Sequence, residues 1–361
     1  MVHRLIGAEV SFYTGKVRAY LRYKAIPFEE VAATRDVFRE VIVPRTGVRF
    51  IPVLLSDDDI AVQDSSAIID FLEQRYSGVG IYPEAPLQRL VALLLTAYAD
   101  EWLVIPAMHY RWNVPENRAF AMEEFGRLSL PTADLATQRA LGEKLAGPFA
   151  GALPSLGITP NTVGAIEASY LALLAELERH LETQPFLLGT RPCIGDFALY
   201  GPLYAHLYRD PASGRLMNEL APRVADWVAR MTSPRPLSGS FLPDDQVPET
   251  LEPILTRMFT EFGPVLCSTA ERLASWAQQP HEAHVPRSIG LHEFTLGDVR
   301  ETRSIAPFNL WRWQPPRALY HSLSGETRAR ADALLARCAG LTSLRAPCPE
   351  LARENNQLKL V

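Results

Sequence analysis

Along the first residues of this chain, apolar side chains come in short runs broken by charged turns, then give way to the three-to-four-residue rhythm of helices. His3 to Gly7 and Phe28 to Ala32 read as strands. Thr14 to Lys24, apolar at Val17, Ala19, Tyr20, Leu21 and Tyr23, reads as a helix, and Thr34 to Val43 as a second helix stopped by Pro44, which lacks an N–H. Pro52 opens an apolar run that turns through Asp57-Asp58-Asp59 into a second short strand, Ile60 to Val62. Asp64-Ser65 then precede the amphipathic segment Ala67 to Tyr76, an N-cap signature for a third helix. The predicted order is βαβαββα.

Beyond a Gly- and Pro-rich linker, residues 77–86, the pattern is helical. Gln88 to Met108 reads as one long apolar helix, Leu128 to Pro160 as an irregular insertion around a charged helix, Thr137 to Leu145, and Thr162 to Glu182 as an amphipathic helix. In Cys193-Ile194-Gly195-Asp196, the aspartate stands at the third helical position, where its carboxylate reaches back to the cap residue's N–H. The last stretch predicts a helical run from Pro248 to Gln278, a β-hairpin about Gly297-Asp298, an aromatic-rich segment from Phe308 to Tyr320 and a helix from Glu326 to Ala339. Three domains are expected: 1–78, 83–238 and 239–361.

Composition narrows the function classes. Lys plus Arg number 36 against 41 acidic residues, a net charge of −5, so no basic field exists to hold nucleic acid or an anionic membrane. Leu90 to Met108 is apolar but interrupted by Asp100, Glu101 and Pro106, which suits a buried helix rather than a membrane span. The four cysteines lie far apart with no CxxC pair, which argues for a reducing compartment, and no secretory signal is visible; a cytoplasmic protein is expected. His281, His284 and His292 do not form an HExxH zinc motif, so no metal is expected. GxGxxG, P-loop and GxSxG motifs are absent, and with them the support for nucleotide-dependent or serine-hydrolase chemistry.

The chemistry concentrates in residues 10–18 and 50–73. A cis Ile51-Pro52 bond would turn the chain sharply and expose the backbone of Ile51 to an extended peptide. The helix start at Asp64-Ser65 offers free N–H groups, a positive dipole end and a hydroxyl, a natural site for a carboxylate. Together, Ile51-Pro52-Val53-Leu54 and Asp64-Ser65-Ser66-Ala67-Ile68 resemble the glutathione-binding corner of the cytosolic glutathione S-transferase superfamily, and the segment around Asp196 resembles a helix-capping motif of the same family with Cys193 where Ser or Thr usually stands.

That resemblance implies a thioredoxin-like N-terminal α/β domain, an all-α transferase domain and, past residue 236 or so, a mostly helical extension with a β-hairpin that the family pattern does not cover. It implies glutathione as co-substrate, a small hydrophobic electrophile as the second partner, and a homodimer. Ile51, Pro52, Asp64 and Ser65 are the implied glutathione-binding residues. Arg49 joins them as a partner for the glycine carboxylate, or is simply a solvated arginine. Asp100 meets the γ-glutamyl amine, if need be across a dimer, or forms a structural ion pair. The activating residue falls on Ser11, five positions before Lys16-Val17-Arg18, with Tyr13 as the alternative under a shifted alignment; the plainer role for Ser11 is to cap the first helix. The chemistry asks for a shift of thiol pKa from about 8.5 to about 7, worth about 2 kcal/mol, and a hydroxyl hydrogen bond to a charged sulfur supplies roughly that. A non-catalytic glutathione sensor or scaffold on the same fold is the competing reading.

Overall fold

The computed structural model describes residues 2–233, 239–280 and 283–361. From the N-terminus the chain forms β1 (His3–Gly7), α1 (Phe12–Tyr23), β2 (Phe28–Ala32), a broken helix comprising α2 (Arg35–Val37), a π-helical stretch (Phe38–Ile42) and α3 (Val43–Thr46), then β3 (Val53–Leu55), β4 (Ala61–Gln63) and α4 (Ser65–Arg75). The four strands lie in the order β2-β1-β3-β4, with β1 parallel to β2 and antiparallel to β3. Leu5 sits opposite Glu30 on one side and Leu54 on the other, and Leu54 in turn faces Val62.

Ile6, Ile42, Val53 and Leu55 form one core cluster of this sheet, while Val17, Tyr20 and Leu21 bury the inner face of α1 completely. Each such apolar side chain contributes about 1.5–3 kcal/mol. Pro44 does not end the second helix, as its missing N–H suggests it should. The ladder widens just ahead of it, the Val43 N–H bonding the Phe38 carbonyl, and Pro44 enters at the start of α3, where no N–H is required; the helix runs on to Thr46 and closes on Gly47 at φ 71°.

The helical part continues as α5 (Pro86–Glu101), α6 (Val104–Asn113), α7 (Pro115–Ser129), α8 (Leu135–Gly151), α9 (Val163–His180), α10 (Ile194–Ala205), α11 (Pro211–Leu220) and α12 (Pro222–Thr232). The predicted single helix from Gln88 to Met108 is thus two, parted at Trp102-Leu103. The predicted irregular insertion holds a longer helix than the expected Thr137 to Leu145, namely α8, packed closely on the preceding α7: a Cβ at Gly126 would stand 2.0 Å from the Gln138 carbonyl oxygen, and one at Gly142 2.0 Å from that of Met122, so glycine alone lets α7 and α8 approach this far. At α10, Asp196 takes the Cys193 N–H at 2.8 Å and the Leu187 N–H at 3.1 Å, the back-bonding its spacing predicts.

After Gly239 come α13 (Glu252–Glu261), α14 (Gly263–Ala277), the hairpin β5 (Leu291–Leu296) and β6 (Val299–Ser304), α15 (Phe308–Ser322), α16 (Gly325–Arg337), α17 (Leu341–Arg345), and a second hairpin, β7 (Leu351–Glu354) and β8 (Gln357–Leu360). The chain gathers into two compact units, one of residues 1–81, 107–152 and 197–238, the other of 82–106, 153–196 and 239–361. The expected domain edge near Ser238 and the candidate ligand His281 lie outside the described residues. In the second unit His284 is exposed, and His292 is buried with its ring bonded to the Ser268 hydroxyl at 2.9 Å. Among the described residues one helical stretch, Pro86–Asn113, is long and apolar enough to cross a membrane; 83% of its apolar window is buried within the fold, as in a core helix.

Candidate functional site

Seven of the eight predicted site residues fall in the first unit: Ser11 and Tyr13 at the start of α1, Asp64 and Ser65 at the start of α4, and Arg49, Ile51 and Pro52 in the segment before β3. The Ile51-Pro52 bond is cis. Ile51 packs beside the core cluster of Ile6 and Val53, and the Pro52 carbonyl accepts the Asp64 N–H at 3.4 Å, so the proline corner and the start of α4 are adjoining. Asp64 caps α4: its Oδ1 accepts the N–H groups of Ser66 and Ala67 at 3.0 and 3.1 Å. To do so its backbone sits at φ 94°, ψ 134°, a region that a residue with a Cβ rarely occupies. Ser65, the first residue of the helix, is buried, and its Oγ has no hydrogen-bond partner among the described residues.

The start of α1 is built with equal care. Ser11 is the N-cap, its Oγ accepting the Thr14 N–H at 3.3 Å. Accepting leaves the hydroxyl proton for a second partner. Gly7 ends β1 where a Cβ would lie 2.3 Å from the Thr14 methyl, so this glycine lets α1 begin hard against the strand. The two helix starts are joined by a buried bond from Lys16 Nζ to Ser66 Oγ, 2.9 Å. Tyr13 is half-buried, its ring 3.8 Å from that of Phe12. Arg49 is exposed. Asp100 belongs to the second unit, where it is buried on α5.

Around the turn from β1 to α1 stand groups outside the predicted site, among them Tyr204 and His206, which the sequence reads as helical core. Glu9 accepts a 2.5 Å bond from the Tyr204 hydroxyl and pairs with Arg18 at 3.1 Å; burial and this carboxylate push the Tyr204 phenol up to about 12. The edge of the His206 ring meets Phe12 at 5.6 Å, and burial, with Arg111 and Arg209 nearby, holds the imidazole well below its ordinary pKa and neutral. Arg111 donates from Nη1 to the Val10 carbonyl at 2.8 Å and is paired in two places with the fully buried Asp210. Arg111 has one sequence signal, a guanidinium inside the apolar run Pro106 to Trp112; nothing local couples it to Asp210.

A four-stranded mixed sheet with a cis-proline corner and a capped helix start beside it, followed by a helical bundle, defines the glutathione S-transferase class. The family model of the glutathione S-transferase N-terminal domain matches residues 5–80, and that of the C-terminal domain matches residues 160–230, so these two stretches carry the domain pair of the glutathione S-transferase superfamily, with an added C-terminal region after them. Glutathione S-transferase U17 of Arabidopsis thaliana is 33% identical over 105 residues, 28% of this chain and 46% of the relative, so the match spans about half that relative's length. A glutathione S-transferase structure from Rhodospirillum rubrum F11 is 19% identical with a TM-score of 0.42, covering 69% of this chain and 97% of that one. The Tau class glutathione S-transferase of mango, Mangifera indica, is 21% identical with a TM-score of 0.41, covering 69% and 94%.

Proposed function

We propose that this protein is a glutathione transferase in which the corner at Ile51, Pro52, Asp64 and Ser65 holds the tripeptide and Ser11 activates its thiol for attack on a small hydrophobic electrophile. The observation that carries this reading is the start of α4. There a buried serine hydroxyl has no partner among the described residues, and the aspartate beside it is kept in a costly backbone conformation. A zwitterionic amino-acid head, such as the γ-glutamyl end of glutathione, complements both: its carboxylate takes the Ser65 hydroxyl and the helix-end N–H, its ammonium the Asp64 carboxylate.

At α1, the Ser11 hydroxyl proton points the chemistry toward a thiolate. A hydrogen bond to a charged sulfur, roughly 1.5–3 kcal/mol, lowers a thiol pKa by about 1–2 units, enough to make much of it nucleophilic at neutral pH. A homodimer and a cytoplasmic setting complete the reading. The test pairs calorimetry with ultraviolet titration of the bound thiolate. Ser65→Ala is expected to weaken glutathione binding about tenfold, and Ser11→Ala to raise the bound-thiol pKa by about 1–2 units and slow addition to an aromatic electrophile. Equal affinities for wild type and Ser65→Ala would refute the corner. A shift found in Tyr13→Phe instead of Ser11→Ala would move the activating role, and glutathione bound with a solution-like thiol pKa and no turnover would favour a sensor or scaffold.

A further inference from the structure

We infer that Arg111 is a positioning residue for thiol activation: it orients the Ser11 hydroxyl by holding the peptide plane that precedes it. The inference rests on Ser11 as the activating group. That plane is gripped at both ends. The Val10 carbonyl accepts from Arg111 Nη1 at 2.8 Å, and the Ser11 N–H donates to the Ala8 carbonyl at 3.0 Å. The plane after it is held too, the Ser11 carbonyl accepting the Gly15 N–H at 2.9 Å, so Ser11 keeps φ −89° and ψ 122°, and the direction of its Cα–Cβ bond follows.

The guanidinium is itself immobile. Its Nε and Nη2 make a two-pronged pair with Asp210, both bonds 2.8 Å, and Nη2 also donates to the Ala205 carbonyl at 2.5 Å. Arg111 is 2% exposed and Asp210 0%. The fork geometry matters. A lysine is a single point charge that cannot satisfy a carboxylate in two places and a carbonyl in a third direction at once. A buried ion pair is a poor source of stability, since apolar residues of similar volume replace such pairs at little cost. One that spends a donor on the backbone beside the reacting hydroxyl serves placement, and misplacement by about 1 Å is enough to slow a reaction about a hundredfold.

The experiment uses the full-length protein with glutathione and an aromatic electrophile, and compares Arg111→Lys with the paired replacement Arg111→Met/Asp210→Leu. The pair leaves no lone buried charge, so it carries the test if Arg111→Lys does not fold. Both are made in the wild-type and Ser11→Ala backgrounds. Expected in the wild-type background are a bound-thiol pKa raised by about one unit, kcat lowered about tenfold, and glutathione affinity within about twofold. In the Ser11→Ala background neither replacement should shift the thiol pKa further, since the hydroxyl being placed is gone. An unchanged thiol pKa in folded Arg111 variants, or an equal shift in both backgrounds, would overturn the positioning role while leaving Ser11 in place. If the wild type itself leaves the bound thiol at its solution pKa, the activating role of Ser11 falls, and the role of Arg111 with it.

Discussion

Asp64 carries two burdens that can be separated. Its carboxylate caps α4 with two hydrogen bonds, worth about 1–2 kcal/mol, and its backbone conformation at φ 94° costs a residue with a Cβ about 1–3 kcal/mol. Glycine removes the cap and the strain together. Asp64→Gly is therefore expected to change stability by less than about 1 kcal/mol in urea unfolding, while glutathione affinity measured by calorimetry falls at least about tenfold. A large loss of stability with binding intact would show that the aspartate serves the helix alone. The roles of Asp64 and Asp196 were legible because each cap closes within three residues. The Lys16–Ser66 and Arg111–Asp210 pairs were not, since each joins side chains brought together only by packing.

Elements were legible where one periodicity ruled and illegible where packing rewrote it. Residues 128–160 read as irregular because prolines interrupt the pattern, yet α8 runs through Pro148 and lies against α7 at glycine contacts. In an open helix, replacing glycine by alanine stabilises by about 1 kcal/mol. Gly126→Ala is expected to do the opposite here, because the new Cβ meets a carbonyl oxygen of the facing helix rather than a movable side chain. A lowered melting temperature checks this, and a raised one would show that the pair separates at little cost. The second hairpin, β7–β8, went unread although Asn355 and Asn356 sit at its turn at φ 49° and 62°. Paired asparagines between short alternating runs are a turn signal of the kind that favours positive φ.

At the scale of the whole molecule, residues after 239 are part of the second unit's core. Asp245 caps the N–H groups of Leu87 and Gln88, which Ala85 cannot do; Phe262 stacks on Trp102 at 5.4 Å; and Thr250 bonds the ring of His180 at 2.7 Å. His180 is fully buried, and burial pulls its pKa down to about 4, below the ordinary 6.5. The unfolded chain binds a proton there before the folded one does. Stability is thus complete above about pH 6.5 and falls as the pH drops toward 4, by about 2 kcal/mol at pH 5 from this ring alone. Unfolding at pH 7 and pH 5 should show that slope, and His180→Gln should flatten it by about the same amount. An equal slope in both proteins would assign the acid lability elsewhere.

The sequence by itself determined the strand and helix order of the first unit, the proline corner, the capped start of α4 and the placement of Ser11 at the head of α1, because each depends on φ preferences, hydrophobic period or a cap within a few residues. Only the tertiary structure decided that α5 takes its cap from Asp245, that Arg111 holds the peptide before Ser11, and that each compact unit gathers segments distant in sequence. These outcomes join residues about 100 or more apart, and no local pattern records which distant groups meet once water is excluded.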